Sequence, residues 1–388
     1  MTKTTTPAND LAAPKVHSRN ESTTDKPSSR VVQLDFVRGI AILLVIDRHA
    51  ITLPTSNVLA RANGFVGEHV GWMGVDLFFV LSGFLVGGLL IQEIVKTGHV
   101  RVSRFLVRRM LKIWPAYYFY LIFQIILRRH PLNTFVWQNV LNIQNYAGTS
   151  LSHTWSLAVE EHFYLLLPFT LLLIYSKKSL RPRLESILLA VCAVVLCIRI
   201  VSFLIVGVGN SQWETHTRLD SLLFGVLLSH ILYSSRERFD GLLRHRVILA
   251  ALSIGVFVIA LLVPGHESAY MATVGYTVNY LCFAALMLLV YGYHGWLNQT
   301  YLYKFVAWIG RYSYGIYLWH LSVREPLAHF AQRLRLPDSI AWIVLIAAQY
   351  AAAIVLGVVV TKLVEFPVLR LRDRLFPRGV AELPPTNP

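Results

Sequence analysis

The chain has 388 residues, of which 55% are hydrophobic and 15% are charged. Soluble domains carry about 25% charged residues, so this balance excludes a disordered chain, a collagen-like repeat and a soluble coiled coil. In a soluble protein the formal net charge of +15 would indicate a nucleic-acid partner. Because this chain is so apolar, we attribute the charge to basic loops on the cytoplasmic side of a membrane and expect no nucleic-acid partner.

Apolar runs of close to 20 residues predict an all-α fold, a polytopic bundle of about ten transmembrane helices. The predicted spans are about 36–55, 70–95, 111–127, 156–175, 185–207, 217–234, 247–264, 272–292, 305–323 and 339–362. Residues 1–33 lack an apolar core and are expected to form a disordered cytosolic tail rather than a signal peptide. Residues 34–372 are predicted to form the transmembrane domain and 373–388 a short cytosolic tail, so no second soluble domain is expected.

Lys and Arg are distributed unevenly between the predicted loops. If the N-terminus lies inside, the cytoplasmic segments hold 24 of them. The outer segments hold 6, namely Arg61, Arg128, Arg129, Arg324, Arg333 and Arg335. Because basic loops stay on the cytoplasmic side, both termini are predicted to lie in the cytoplasm.

The first predicted span carries ionisable residues, each of which costs at least ~2.5–3.5 kcal/mol at a bilayer centre. Arg38 and His49 are 11 positions apart, about three helical turns, so their side chains share one face about 16 Å apart. This arrangement suits an anionic ligand that enters from the cytoplasm and presents its reactive end near the imidazole. The alternative is that Arg38 reaches the inner headgroups and His49 bonds a neighbouring helix.

The second predicted span contains Asp76, Ser82, Gly83 and Gly87. The two glycines form a small-residue ridge that predicts close contact with another helix. Ser82 lacks the GxSxG context of a nucleophile elbow. Such a serine more often bonds a backbone carbonyl one turn earlier.

Two polar clusters mark the ends of later spans. Arg108, Arg109 and Lys112 lead into the third span, where they either bind phosphate groups of a cytoplasmic ligand or set the topology. Glu160 and Glu161 open the fourth span, where carboxylates accept a hydrogen bond from a sugar hydroxyl or orient an imidazole. This segment lacks the HExxH spacing, so we expect no metal site.

Polar residues also occur at the start of the sixth span and in an outer loop. Arg218 and Asp220 point to different faces of a helix, so each is expected to bond a neighbouring span. The outer segment 128–155 includes Trp137, Gln138, Asn139, Asn142 and Asn145. That composition fits sugar stacking and hydrogen bonding, and it fits an ordinary interfacial loop equally well.

Taken together, these segments resemble the acyltransferase 3 family, bacterial integral-membrane enzymes that O-acylate carbohydrates and other exported molecules. The resemblance covers residues 34–372. Its blocks are Arg38-x10-His49, FFVLSGF at 78–84, RRxxRIxPxY at 108–117, WSLxVEExFY at 155–164, R-x-D at 218–220, SYxIYLxH at 313–320 and E-x-P at 365–367. One block alone would be weak, whereas seven in the family's order make the resemblance specific.

The chain departs from the family pattern at three points. Lys112 stands where the family often has Arg. Asp47 and Arg48 precede His49 at positions that are usually apolar, and we expect this pair to tune His49 or to contact the acceptor. No C-terminal hydrolase-like domain of the kind some members carry is expected, so the membrane domain would complete the transfer.

The resemblance implies a cytoplasmic acyl-CoA, most often acetyl-CoA, as co-substrate, and no bound cofactor. It also implies a carbohydrate or glycolipid acceptor near the outer face of a bacterial inner membrane. His49 would be the general base, since neutral imidazole, with an ordinary pKa of about 6.5, suits that role. Arg38 would bind a phosphate or the carbonyl of the donor. Arg108 and Arg109 would hold its 3′-phosphate and pyrophosphate.

Glu160, and less directly Glu161, would orient the acceptor or His49. Further residues expected to contact substrate are Asp76, Ser82, Lys112, Arg218 and Asp220. A covalent acyl-enzyme on Ser82 or His49 is an open alternative to direct transfer.

Three other functions compete with this interpretation. A transporter also carries intramembrane charges and broken helices, although the two halves of the chain show no convincing repeat. The membrane-bound O-acyltransferase class shares a buried His but lacks the Arg-x10-His spacing. A structural or receptor role predicts that Arg38, His49 and Glu160 can be replaced without functional loss.

Overall fold

The computed structural model describes residues 31–51, 57–127, 130–208, 212–263, 268–334 and 337–377. Within these ranges the chain is helical and contains no strand, which confirms the all-α prediction. Residues 1–30 and 378–388 of the predicted tails lie outside the described residues, as do Arg128, Arg129 and Arg335 of the predicted outer loops.

The α-helices of the described residues follow one another along the chain. They are α1 (Val32–Arg48), α2 (Val58–Val70), α3 (Gly74–Thr97), α4 (Val102–Leu127), α5 (Val136–Val140), α6 (Gln144–Ala147), α7 (Trp155–Ser176), α8 (Leu184–Val206), α9 (Thr215–Ser234), α10 (Arg236–Arg244), α11 (Arg246–Leu262), α12 (Tyr276–Tyr291), α13 (Tyr301–Arg311), α14 (Ser313–Trp319), α15 (Arg324–Leu334), α16 (Asp338–Val360) and α17 (Phe366–Leu375). Short π-helical turns, Met271–Gly275 and Thr361–Glu365, lead into α12 and α17.

Six helical stretches of the described chain are long and apolar enough to cross a membrane. They are Val58–Thr97, Val102–Leu127, Ser152–Ser176, Arg181–Val206, Met271–Tyr291 and Ile340–Leu375. A seventh results if α10 and α11, bent by 67°, count as one span. Every predicted span contains a helix, but α1, α9, α13 and α14 are not among these six. The number of ten spans therefore stays a prediction.

The packing of α3 against α9 brings two helix backbones unusually close. A side chain at Gly83 would meet the backbone of Leu222, and one at Gly225 would meet the backbone of Val80. Backbones approach this closely where small residues face each other. The predicted close contact at Gly83 is confirmed, and it brings the buried polar residues of α3 and α9 together.

The predicted ninth span is two helices rather than one. The chain bends at Tyr312, between α13 and α14. On one side of the bend, Gly310 of α13 lies against the backbone of Asp35 in α1. On the other side, Gly315 of α14 lies against the backbone of Gly357 in α16. Each half of the predicted span thus packs on a different partner, which a hydropathy pattern does not reveal.

Two further boundaries differ from the sequence prediction. The predicted outer loop 56–69 instead contains most of α2. Asn57 caps this helix by accepting hydrogen bonds from the backbone N–H groups of Leu59 (2.9 Å) and Ala60 (3.2 Å). Helix α4 begins at Val102, nine positions before the predicted start at 111. Its first turns are basic, so their low hydropathy concealed the continuation of the helix.

Candidate functional site

Two cavities lie at opposite ends of α1. The first, of about 250 Å³, which we call the cationic cavity, is lined near the start of α1 by Arg38. Its other charged lining residues are Arg109, Lys112, Arg311, Arg372, Glu160 and Glu365. The lining holds five cationic side chains and two carboxylates, a balance of charge that favours an anionic ligand.

Inside the cationic cavity, Ser82 is bonded to a carboxylate. Its hydroxyl donates to Oε1 of Glu160 at 2.6 Å and lies 3.0 Å from the phenol oxygen of Tyr164. The guanidinium of Arg109 lies over the ring of Tyr164, 4.2 Å from its centroid. Glu160 therefore connects α7 to α3 within the cavity, and it bonds Ser82, whereas His49 lines the other cavity.

The structure separates the predicted basic cluster of α4. Arg109 and Lys112, three residues apart, both line the cationic cavity. Arg108 instead pairs with Asp373 of α17 at 2.9 Å and donates to the carbonyl oxygen of Phe376. Glu161 accepts a hydrogen bond from the indole nitrogen of Trp114 at 3.0 Å. Phosphate or acceptor roles for Arg108 and Glu161 stay predictions.

The second cavity, of about 240 Å³, which we call the histidine cavity, lies at the end of α1. Its walls include the aromatic residues Trp72, Trp155, Trp213 and Tyr276 and the polar residues Arg48, His49, His153, Gln212 and Arg218. Arg38 and His49 therefore belong to two different cavities, one at each end of the same helix.

His49 directly follows α1, and its contacts fix one ring nitrogen. Nδ1 lies 2.9 Å from the carbonyl oxygen of Val45 and 3.2 Å from Nε2 of His320. Nδ1 of His320 lies 2.6 Å from the carbonyl oxygen of Tyr317. Because a carbonyl only accepts, neutral His320 carries its proton on Nδ1, and its Nε2 accepts from Nδ1 of His49. The hydrogen-bond network thus assigns the lone pair of His49 to Nε2.

The two cavities share two lining residues, Val75 and Tyr317, which we call the partition. The phenol of Tyr317 donates to the carbonyl oxygen of His153 at 2.6 Å, so the hydroxyl of Ser156, also at 2.6 Å, must donate to it. Phe78 packs edge-on against the Tyr317 ring, with centroids 6.3 Å apart. Val75 and Tyr317 thus form part of the wall of both cavities.

Buried ion pairs tie α9 to its neighbours. Arg218 pairs with Asp76 of α3, and Asn279 donates to the same carboxylate at 3.0 Å. Asp220 pairs with Arg199 of α8 at 2.7 Å. The expectation that Arg218 and Asp220 each bond a neighbouring span is confirmed. Arg218 lines the histidine cavity, whereas Asp76 and Asp220 line neither the histidine cavity nor the cationic cavity, so their substrate roles stay predictions.

The amides of the predicted outer loop serve the fold. Asn139 is fully buried, and its Oδ1 accepts from the hydroxyl groups of Tyr117 (2.9 Å) and Thr154 (2.7 Å). Asn145 donates to the hydroxyl of Thr215 at 2.9 Å. These bonds anchor the segment to α4 and α9, which favours the ordinary structural interpretation of its composition.

Two histidines near His49, His153 and His320, were not among the predicted site residues. His320 ends the SYxIYLxH block and His153 opens the segment before α7, so both carried a signal as ionisable residues in apolar surroundings. Their proximity to His49 depends on the packing of α14, which His320 directly follows, and of the turn before α7, which contains His153, and it did not follow from the sequence. Within the described ranges, no group of three His, Cys, Asp or Glu side chains is arranged to hold a metal ion.

Comparison with known proteins gives one family and a small set of relatives. Residues 31–362 match the acyltransferase 3 family, described as an acyltransferase domain. The O-acetyltransferase OatA of Staphylococcus aureus strain NCTC 8325 is 29% identical over 285 residues, which are 65% of this chain and 46% of OatA. A protein of strain COL, named provisionally as an O-acetyltransferase, is 25% identical over 314 residues, 75% of this chain and 50% of that protein. The chain spans about half the length of these relatives, and no solved structure matches it.

Proposed function

The chain belongs to the acyltransferase 3 family and is a membrane protein, and from that premise we propose that it is a membrane-embedded O-acyltransferase. The proposed reaction moves an acyl group, acetyl in the first instance, from acyl-CoA to a hydroxyl group of an envelope or exported carbohydrate. The observation that carries the proposal is the pair of cavities that meet at Val75 and Tyr317. A two-substrate transfer across a membrane needs one site for each substrate and one place where they meet.

The proposed topology has ten spans with both termini in the cytoplasm of a bacterial cell. The bias of Lys and Arg toward one set of loops supports it. Helices α1 and α9, which are too polar or too short to count by hydropathy, are packed by close glycine contacts in the interior and need not face lipid. In this topology the cationic cavity lies toward the cytoplasm and the histidine cavity toward the outer face.

The cationic cavity is the proposed donor site. Acyl-CoA carries several negative charges on its 3′-phosphate and pyrophosphate, which matches a lining of five cations and two carboxylates. Arg38, Arg109 and Lys112 are the groups we assign to those phosphates, since guanidinium groups bind phosphate through paired hydrogen bonds. Glu160 accepts a hydrogen bond from Ser82 in the same cavity, and we assign it the role of fixing Ser82 beside the incoming thioester.

The histidine cavity is the proposed acceptor site, with His49 as general base. The hydroxyl oxygen of the carbohydrate attacks the thioester carbonyl carbon at the partition. At the same time the hydroxyl proton passes to Nε2 of His49. A new carbon–oxygen bond forms and the carbon–sulfur bond breaks. The proton then passes from His49 to the departing CoA thiolate, so the reaction yields an ester and free CoA with no change in the enzyme.

Direct transfer fits the geometry better than an acyl-enzyme on Ser82. A serine nucleophile needs a base that accepts its proton, most often an imidazole. Ser82 lies in the cationic cavity with Glu160, whereas His49 lines the other cavity. The imidazole is thus placed to act on an acceptor hydroxyl rather than on Ser82.

Sealed membrane vesicles of the two orientations test the proposal, because acetyl-CoA does not cross a bilayer. We expect inside-out vesicles that contain the protein to incorporate labelled acetyl from external acetyl-CoA into carbohydrate. Right-side-out vesicles should do so only after permeabilisation, and vesicles without the protein should not. Label in neither preparation, despite detectable acetyl-CoA binding or substrate uptake, would favour a transporter.

A further inference from the structure

The charged lining of the histidine cavity is entirely cationic. Arg48 and Arg218 line it, and no Asp or Glu is among its described lining residues. The charge of Arg218 is balanced by Asp76, which does not itself line the cavity. The charge of Arg48 has no carboxylate opposite it among the described lining residues. A cavity next to the reacting base with excess positive charge favours an anionic ligand.

Arg218 has hydrogen-bonding capacity left over. It is only 2% exposed, and its Nη2 donates to Asp76. Its Nε and Nη1 have no hydrogen-bond partner among the described residues. The ring of Tyr276 covers the guanidinium at 3.6 Å and holds it in place. Buried donors without a partner are costly, so a ligand oxygen that accepts from them is favoured.

The remaining lining suits a sugar ring. Trp72, Trp155 and Trp213 supply flat apolar faces, and the rings of Trp155 and Trp213 meet edge to face with centroids 4.9 Å apart. Gln212 is 2% exposed, and both its amide nitrogen and its amide oxygen lack a partner among the described residues. An amide that offers a donor and an acceptor side by side matches neighbouring sugar hydroxyls.

From these observations, and resting on the proposed function, we propose that the histidine cavity binds an acidic sugar, a pyranose that carries a carboxylate. The carboxylate binds Arg48 and the two unpartnered nitrogens of Arg218, and the ring lies against the tryptophans. Since Arg48, Arg218 and His49 line the same cavity, a carboxylate anchored by the two arginines brings a ring hydroxyl to Nε2 of His49. The cavity of about 240 Å³ is smaller than the roughly 300–1,000 Å³ of pockets for drug-sized ligands, so one ring enters and the rest of a glycan stays outside.

A matched pair of monosaccharides tests this proposal on the purified full chain in nanodiscs. Methyl α-D-glucuronide and methyl α-D-glucoside differ only in a carboxylate against a CH₂OH group. Binding is followed by quenching of tryptophan fluorescence, because three tryptophans line the cavity. We expect the glucuronide to bind about tenfold more tightly or better, as charge-assisted hydrogen bonds are roughly twice as strong as neutral ones.

Variants at position 48 test whether Arg48 causes the preference for the glucuronide over the glucoside. Arg48→Gln should bring the two affinities together, and Arg48→Lys, which keeps the charge, should retain part of the difference. Arg61→Gln is the matched control, because Arg61 is exposed on α2 and does not line the cavity. Each variant is accepted only if it elutes as a single species with unchanged thermal unfolding.

Equal affinities for the two sugars, no quenching by either sugar, or a preference that survives Arg48→Gln would overturn the proposal. Acetyl transfer is measured on the same samples with labelled acetyl-CoA. Selective binding of the glucuronide without any transfer would leave the acidic-sugar site standing and count against the O-acyltransferase function. Acetyl transfer to methyl α-D-glucoside, together with equal affinities for the two sugars, would support the O-acyltransferase function and overturn the acidic-sugar site.

Discussion

Nε2 of His320 lies 3.2 Å from Nδ1 of His49, and the two imidazole rings are tilted by 55° with centroids 4.9 Å apart. His320 is itself fixed by the carbonyl oxygen of Tyr317 at 2.6 Å. The proton of His49 is therefore held on the nitrogen that faces its neighbours, and the other nitrogen is left as a base. In the proposed mechanism His320, which lines neither cavity, positions His49 and does not contact the substrate.

Replacing His320 should slow the reaction through this positioning. His320→Leu removes one of the two acceptors for Nδ1 of His49, the other being the carbonyl oxygen of Val45. We expect a decrease in kcat of about tenfold, the value of one hydrogen bond. The KM for acetyl-CoA should stay unchanged, because the donor lies in the other cavity. We also expect the pH at which kcat is half-maximal to differ from that of the wild type.

His320→Gln is the control for this prediction. Its amide oxygen can accept the same hydrogen bond, so we expect it to recover part of the rate lost in His320→Leu. Equal losses in both variants with an unshifted pH profile would indicate that His320 only supports the fold.

Arg38 should act on donor binding. A hydrogen bond to a charged group is worth about 1.5–3 kcal/mol, so Arg38→Gln should raise the KM for acetyl-CoA about 10–100-fold. Arg101→Gln is the control, because Arg101 is exposed before α4 and does not line the cationic cavity. The initial rate is measured as a function of acetyl-CoA concentration. An unchanged KM in Arg38→Gln would show that Arg38 does not contribute to donor binding.

Ser82 should be dispensable for the chemistry. Because its hydroxyl only donates to Glu160 in the proposed mechanism, Ser82→Ala should retain transfer within about tenfold, the value of one hydrogen bond. Mass spectrometry of wild-type protein quenched in acid during turnover should find no acetylated residue. A trapped acetyl group on Ser82 would establish the acyl-enzyme route instead.

The partition should set the size of the acyl group. Val75→Ala removes two methyl groups where the cavities meet, so we expect the ratio of butyryl to acetyl transfer to rise roughly tenfold or more. Val80→Ala, a buried position of the same helix that faces α9, is the control and should leave the ratio unchanged. A ratio that is the same in Val75→Ala and the wild type would mean that the acyl group does not pass Val75.

Hydropathy and helical periodicity were sufficient to predict a helix in each of the ten apolar segments. They were not sufficient for α2, whose start depends on the cap at Asn57, or for the bend at Tyr312, which depends on the partners of α13 and α14. Local patterns carry such features weakly because tertiary contacts decide them.

The same limit applies to the candidate site. Arg38 and His49 were identified from their cost in a bilayer, but their separation into two cavities was not. The imidazole that contacts His49 comes from a residue 271 positions later, so only the packed bundle brings it there. The partner of Asp220, Arg199 in α8, was not among the predicted residues, because only the packing of α8 against α9 brings the two side chains together.

The most direct test of the account is the role of His49 as the base. Membranes with matched amounts of wild-type protein or His49→Ala are supplied with labelled acetyl-CoA, and label in envelope carbohydrate is counted. We expect the wild type to transfer acetyl and His49→Ala to transfer it at least about 100-fold more slowly, the lower end of the range for general-base catalysis. Transfer by His49→Ala at the wild-type rate would contradict the account.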